Sequence, residues 1–171
     1  MCEAGNSVAT PHKHGHNDVM IELRSARETD ADDMSAVQNA IFRAGLRSSS
    51  VTVDQIRERY LAGDHRVACT VTDLDGRVVG FQSLKRAWPD NPYGVETGWG
   101  IIGTHIHPDL GRHGLGTRLW SVTLEAAQEA GLLHIDATIG ANSEPALAYY
   151  RSLGFVPYRE ADGAIPHRFD I

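Results

Sequence analysis

The 171-residue sequence is poor in the features that define several large protein classes. It has two cysteines, Cys2 near its start and Cys69 inside an apolar run, which are too few for a disulfide framework or a cysteine-based metal cluster. No apolar run approaches the about 20 residues that span a bilayer, and the N-terminus lacks the apolar core of a secretory signal. We therefore expect a soluble, cytoplasmic protein with reduced thiols.

A surplus of positive charge is also missing. Sixteen Lys and Arg stand against 22 Asp and Glu, for a formal net charge of -6, and the basic residues are scattered. Nucleic-acid-binding surfaces need clustered cations, so we expect no nucleic-acid partner. An acidic surface suits a cationic small substrate, but mild acidity is also ordinary for a cytosolic protein.

The composition that is present, 42% hydrophobic residues, is that of one globular domain. Residues 1–19 carry Gly, Asn, Ser, Pro and His without apolar periodicity, and we predict a flexible tail before a domain at 20–171. His12, His14 and His16 in this tail could capture a transition metal. A flexible segment supplies no fixed geometry, so no metal site is predicted.

The hydrophobic periodicity predicts seven strands and four helices in the order strand, two helices, three strands, helix, strand, helix, two strands. The predicted strands cover 21–24, 67–72, 78–84, 98–107, 132–139, 155–159 and 168–171. The predicted helices start near Thr29, Thr52, Gly116 and Ser143, and Thr52 with Gln55 has the capping-box spacing.

The stretch HPDLGRHGLGTRLW, residues 107–120, places three glycines in six residues directly before a helix. Such a turn presents backbone N–H groups at the positive end of the helix and is typical of an anion site. A Walker phosphate loop is excluded because Thr117 and Arg118 occupy its Lys and Ser/Thr positions. A dinucleotide fingerprint is excluded because Leu119 occupies its last glycine position.

Two segments resemble the GNAT N-acetyltransferase superfamily. Ile106-His107-Pro108 followed by residues 111–116 fits its acyl-CoA signature, Gln/Arg-x-x-Gly-x-Gly/Ala, except that Gly111 stands at the Gln/Arg position with Arg112 displaced by one. Residues 142–155 fit its later segment, in which an Asn precedes a helix that carries a Tyr and ends in Gly-Phe. The predicted element order agrees with this family from about residue 20 to the end.

This resemblance implies an α/β fold with a mixed, splayed sheet of about seven strands flanked by about four helices. The fourth and fifth strands diverge, and the pantetheine of acetyl-CoA enters between them and pairs with their free backbone groups. The implied coenzyme contacts are Ile106, His107, Gly111, Arg112, His113, Gly114, Leu115, Gly116, Thr117, Asn142 and Tyr150. Asn142 could equally cap the helix that follows it. A homodimer is expected from the resemblance alone.

The implied activity is direct transfer of an acetyl group from acetyl-CoA to a primary amine of a small molecule, amino acid or peptide. Counting four residues back from Gly154 selects Tyr150 as the general acid that protonates the leaving thiolate; the alternative is a packed tyrosine whose hydroxyl bonds to a neighbour.

The general base is open among Glu96, His105 and His107, because Gly100 occupies the position of the family's glutamate. A strand histidine such as His105 can equally be a structural hydrogen-bonder. Without that glutamate, a non-catalytic acyl-CoA sensor is the alternative function, and a nucleotide- or phosphate-binding module is a more remote one.

Three segments are expected to determine which acceptor binds, although none contains a recognisable motif: residues 47–51, residues 88–96, and the final hairpin with Pro166 and His167. Trp88, Tyr93 and Trp99 could line an acceptor pocket or seal the core.

Overall fold

The computed structural model describes residues 19–171. Residues 1–18 hold nearly all of the predicted tail, with Cys2, His12, His14 and His16, and lie outside the described residues. Cys69 is buried with a free thiol. No helix in the described range is both long and apolar enough to cross a membrane.

Seven strands and four helices follow one another in the predicted order. The strands are β1 (Ile21–Ser25), β2 (Arg66–Leu74), β3 (Arg77–Arg86), β4 (Gly100–Ile106), β5 (His134–Gly140), β6 (Val156–Pro157) and β7 (Ala164–Asp170). The helices are α1 (Ala31–Arg43), α2 (Val53–Ile56, continued by a π-helical turn at Arg57–Leu61), α3 (Leu115–Glu129) and α4 (Glu144–Leu153). Short 3-10 turns lie at Glu28–Asp30 and Pro108–Leu110.

The strands form one mixed sheet in the order β1-β2-β3-β4-β5-β7-β6, in which β4 and β5 are the parallel neighbours. Their pairing is confined to Gly100 opposite Ile135 and Ile101 opposite Asp136, after which the two strands part. We call the space between the parted strands the wedge. The mixed, splayed sheet of about seven strands flanked by about four helices is confirmed.

Each face of the sheet carries its own apolar core. Helices α3 and α4 cover one face, where the cluster includes Leu84, Ile102 and Trp120. Helices α1 and α2 cover the other, where it includes Met34 and Phe81. Because successive side chains of a strand point to opposite faces, neighbouring residues of β4 project into these two different environments.

The predicted boundaries fail at three places for identifiable reasons. Strand β7 starts at Ala164 rather than at residue 168, because it pairs with the whole of β5 despite Pro166, a residue that argues against a strand. Strand β6 shrinks to two residues. The predicted helix start at Thr29 is instead a 3-10 turn, and the Asp30 carboxylate accepts hydrogen bonds from Arg24 rather than capping α1.

Candidate active site

The glycine-rich turn after β4 leaves a row of backbone donors free. Among the described residues, no acceptor bonds to the N–H groups of residues 112–117. Arg112 and Gly114 have positive φ angles of 69° and 74°. Gly114 is the N-cap of α3 and has no side chain that could accept a hydrogen bond from the first N–H groups of the helix. These N–H groups lie at the positive end of a 15-residue helix, so the turn is suited to an anion.

The open edge of β4 presents further backbone groups. The N–H of His107 donates to the carbonyl of Val79 at 2.9 Å, which fixes the odd-numbered residues of β4 as those that bond to β3. The N–H and C=O groups of Thr104 and Ile106 therefore point towards β5, at positions where the described pairing with β5 has already ended. An extended ligand with amide groups could bind to this edge as an added strand.

Tyr150 places its hydroxyl at this edge. Its Oη lies 2.8 Å from Thr104 Oγ1, and the side chain is 6% exposed within the core under α4. Burial raises the pKa of Tyr150 well above its usual value, and the hydrogen bond with Thr104 opposes that rise. The phenol therefore keeps its proton at neutral pH.

A hydrogen-bonded chain links this hydroxyl to the glycine-rich turn. Gln82 Nε2 donates to Thr104 Oγ1 at 2.8 Å and to Tyr149 Oη at 3.0 Å. Tyr149 in turn donates to the backbone carbonyl of Gly116 at 2.8 Å. A Cβ at position 116 would lie 2.7 Å from Tyr149 Cε2, so glycine is required where α3 and α4 meet.

His105 projects from β4 to the opposite face of the sheet. Its ring lies 4.7 Å from that of Phe81 and 5.8 Å from that of Tyr60, measured between centroids. Burial, and then the positive charge of Arg47, lower the pKa of His105 to about 3. The imidazole is therefore neutral at physiological pH.

Three cations lie near this histidine or near Tyr60: the charge of Arg47 acts on both rings, and those of Arg59 and Lys85 act on Tyr60. Lys85 Nζ lies 5.4 Å from the centre of the Tyr60 ring. Burial lowers the pKa of Lys85, and the charge of Arg59 adds to the decrease. No ion pair within residues 19–171 involves Lys85, Arg59 or Arg47. We call these three residues the cationic cluster.

The other two candidate bases differ from His105 in their hydrogen bonding or in their position. His107 Nδ1 accepts a hydrogen bond from the N–H of Asp109 at 3.2 Å, so its lone pair caps the 3-10 turn. Glu96 is exposed in the loop before β4, near the end of β4 that pairs with β5.

Gly100 and Asn142 occupy very different surroundings. A Cβ at Gly100 would lie 3.0–3.2 Å from side-chain atoms of Leu84, Ile135 and Leu132, so this position belongs to the apolar core. Asn142 is exposed after β5, and the N-cap of α4 is Ser143, without a side-chain hydrogen bond, so the alternative that Asn142 caps α4 is not observed. Because β4 and β5 are parallel, Asn142 and the glycine-rich turn lie at the same end of the sheet, where both strands have their carboxyl ends.

The aromatic residues predicted near the acceptor gather at the paired end of β4. Trp88 stacks on His65 with ring centroids 4.3 Å apart, and Trp99 packs against His134 and Tyr158. These contacts seal the loop before β4 rather than line the wedge.

Sequence reasoning predicted the turn and Tyr150 as site residues, which stays a prediction, and did not point to Gln82, Thr104 or the cationic cluster. The sequence does contain a signal for Gln82 and Thr104. Each is a polar residue two positions away from an apolar, buried residue of the same strand, Leu84 in β3 and Ile102 in β4. Such polar residues on a buried face often bond to one another or to a ligand.

A family model described as "Acetyltransferase (GNAT) family" matches residues 32–155. A mycothiol acetyltransferase from Clavibacter michiganensis is 30% identical over 152 residues, which cover 82% of this chain and 46% of that protein. An S-(2-succino)cysteine N-acetyltransferase from Bacillus subtilis is 29% identical over 102 residues, 56% of this chain and 59% of that protein. The chain thus spans about half the length of these curated relatives.

Solved structures share the fold at lower identity. The PaiA N-acetyltransferase from Thermoplasma acidophilum, in complex with coenzyme A, superimposes with a TM-score of 0.71 at 15% identity, over 89% of this chain and 99% of that chain. A GNAT-family acetyltransferase from Streptococcus pneumoniae gives 0.70 at 17% identity, with the same coverage.

Proposed function

The chain belongs to the acetyltransferase (GNAT) family, and on this premise we propose that it transfers the acetyl group of acetyl-CoA to a primary amine of a small molecule by direct attack in a ternary complex. The observation that carries the proposal is the position of the Tyr150 hydroxyl, 2.8 Å from Thr104 Oγ1 at the open edge of β4. A sensor without chemistry is not favoured, because the curated relatives are named as acetyltransferases.

Two sets of backbone groups would hold the acyl donor. The free N–H groups of residues 112–117 suit the diphosphate of coenzyme A, and Gly111 leads into this turn. The N–H and C=O groups of Thr104 and Ile106 suit the amides of pantetheine. His107, and Asn142 at the same end of the sheet, complete the proposed contacts.

The thioester supplies an activated acyl group, and Tyr150 would supply the proton that the leaving sulfur needs. Its buried phenol keeps that proton until a thiolate forms beside it. A backbone N–H at the open edge of β4 could stabilise the oxyanion at the thioester carbonyl.

We assign the base to His105. A lysine-like amine with a pKa of about 10.4 is neutral only about once in 2,500 molecules at pH 7, equivalent to roughly 4.6 kcal/mol, so a base is useful. Glu96 lies at the other end of β4, and His107 uses its Nδ1 lone pair on Asp109. The neutral His105 has a low pKa of about 3, which a bound anionic acceptor would raise towards the working range.

The cationic cluster favours an acceptor amine that also carries a carboxylate. Lys85, Arg47 and Arg59 have no acidic partner among the described residues, although the whole sequence has an excess of acidic residues. A carboxylate on the acceptor would neutralise this charge and orient the amine near His105. The relative named for S-(2-succino)cysteine, a carboxylated amine, agrees with this class of substrate.

A thiol-release assay with acetyl-CoA tests the proposal. The panel holds S-substituted cysteines with free carboxylates, the same compounds as carboxamides, polyamines and short peptides. We expect amine-dependent release of CoA, with kcat/KM at least about 10-fold higher for each carboxylate than for its carboxamide. Binding of acetyl-CoA without release of CoA by any of these amines would contradict the proposal and favour the sensor.

Three further expectations stay predictions: a homodimer, a cytoplasmic location, and a single domain at 20–171 behind a flexible tail. Light scattering of the purified chain tests the first of them.

A further inference from the structure

We propose that Thr104 and Gln82 are positioning residues that aim the hydroxyl proton of Tyr150 at the sulfur of the acyl donor. This inference rests on the proposed function, in which Tyr150 is the general acid. The direction of these hydrogen bonds is set at the end of the series furthest from Tyr150, where Tyr149 donates to the backbone carbonyl of Gly116.

The direction begins at the Gly116 carbonyl because a carbonyl oxygen can only accept. Tyr149 Oη lies 2.8 Å from it and must donate its single proton there. The Tyr149 oxygen is then left as an acceptor, so the Gln82 amide atom 3.0 Å away must be the nitrogen. The amide orientation is therefore fixed by its contacts.

The second proton of Gln82 Nε2 fixes the next bond. It is donated to Thr104 Oγ1 at 2.8 Å, so the Thr104 oxygen accepts there and its own proton needs another acceptor. Within the part of the chain that the structure describes, the remaining group at hydrogen-bond distance is Tyr150 Oη, 2.8 Å away. Either oxygen can donate in this contact, and we infer that Thr104 donates, since its proton has no other acceptor among the described residues, which leaves the proton of Tyr150 for the acyl donor.

This arrangement is held in a buried setting. Gln82 is 1% exposed, and its Oε1 has no hydrogen-bond partner among the described residues. A buried oxygen without a partner is unfavourable, so the side chain keeps its nitrogen towards Thr104 and Tyr149 at the expense of stability. Such a cost is expected where hydrogen-bond direction matters for chemistry.

In the transfer step one bond forms and one bond breaks. The acceptor nitrogen forms a bond to the thioester carbonyl carbon while the C–S bond breaks, and sulfur takes the electron pair of that bond together with the proton of Tyr150. The Tyr150 oxygen is left as a phenolate that still accepts the hydrogen bond from Thr104, which stabilises the anion. The proton lost by the amine goes to the base and solvent, from which Tyr150 recovers its own.

Single-turnover acetyl transfer by Thr104→Val and Thr104→Ser tests the inference. Valine keeps the branched shape on the strand but removes the hydroxyl, and we expect the rate at saturating acetyl-CoA to fall about 10-fold with the Kd for acetyl-CoA unchanged within about twofold. Serine keeps the donor and should stay within about threefold of the original rate. The inference would be overturned if the serine variant transfers the acetyl group slowly although it unfolds at the same temperature as the parent protein.

A double-mutant cycle separates positioning from packing. In the Tyr150→Phe background, Thr104→Val should have no further effect, because the proton that it positions is gone. An undiminished 10-fold effect in that background would show that Thr104 acts through structure alone. Tyr149→Phe, which frees the Gln82 amide to turn over, is expected to slow transfer about threefold.

Neutron diffraction from deuterated crystals tests the direction without any activity. We expect the deuteron of Thr104 on the side of Tyr150, and a deuteron on Tyr150 directed at Thr104 would overturn the inference. If no amine releases CoA, the proposed function fails, and the neutron result still decides the direction. If Tyr150→Phe abolishes transfer while Thr104→Val does not, the inference fails and the proposed function stands.

Discussion

The two faces of β4 at the wedge differ in how they are completed. On the face under α3 and α4, Thr104 bonds to Gln82 and Tyr150, so these side chains bond to one another, although Gln82 Oε1 has no partner among the described residues. On the face under α1 and α2, His105 lies among cations that have no acidic partner in residues 19–171, as Arg47 and Lys85 illustrate. The first face, which we call the finished face, has no charge left over, whereas the second, the unfinished face, leaves charge for a ligand to neutralise.

The difference follows the chemistry proposed for each face. The leaving thiolate is the same in every turnover, so the group that protonates it can be held rigidly in advance. The acceptor would define specificity, and a proposed site where Arg47 and Lys85 have no acidic partner among residues 19–171 would favour an anionic acceptor over a neutral one. Adjacent residues of a single strand, Thr104 and His105, therefore serve two different partners.

The largest expected effect tests the finished face. Tyr150→Phe removes the proposed acid but keeps the buried ring, so we expect single-turnover acetyl transfer to fall about 10³-fold, while the Kd for acetyl-CoA from calorimetry stays within about twofold. An unchanged rate would make Tyr150 a structural residue and leave this face without a catalytic function.

A matched pair of glycines compares the tolerance of the two faces for a carboxylate. Gly100→Glu would bury a charge among Leu84, Leu132 and Ile135, and we expect a loss of about 3 kcal/mol or more in the free energy of unfolding. Gly103→Glu, three residues along β4, meets polar atoms of His105 and Ser83 instead and should cost much less.

Urea unfolding of both variants measures this contrast. Equal destabilisation would remove the distinction between an apolar and a cationic face. A folded Gly100→Glu variant with faster acetyl transfer would show that this position can still supply the base of related enzymes.

What could be predicted from sequence depended on how local the signal was. The glycine-rich turn and Tyr150 are defined by spacing within a few residues, and both lie at the wedge. Gln82 reaches Tyr149 across 67 positions, and no local pattern records that contact. The cationic cluster joins a loop, a π-helical turn and a strand, so its members look scattered in the sequence and become a cluster only after folding.

The histidine of the unfinished face should make folding sensitive to acid. The pKa of His105 is about 3 in the folded protein against about 6.5 in an unfolded chain, so the unfolded state binds more protons between these values and stability falls as the pH falls through that window. Between pH 7 and pH 5 we expect the parent protein to lose about 2 kcal/mol more than His105→Gln.

Urea titrations at the two pH values test this difference, and every other titrating group is common to both proteins. Identical losses would mean that His105 protonates freely in the folded state. The account of a half-buried base that stays neutral in the folded protein would then be wrong.

The smallest expected effect tests the cationic cluster. Arg47→Gln removes one of its three charges, and we expect the KM for a carboxylated amine to rise about 10-fold while kcat and the KM for the matching carboxamide change little. Arg77→Gln removes the same charge from the exposed start of β3 and serves as the control. Added salt should reduce the difference between carboxylate and carboxamide less in Arg47→Gln than in the parent, because the substitution removes one of the charge pairs on which screening acts. Equal KM changes for both amines would show that Arg47 shapes the pocket rather than attracts an anion, and the two faces of β4 would then differ in packing but not in their use of charge.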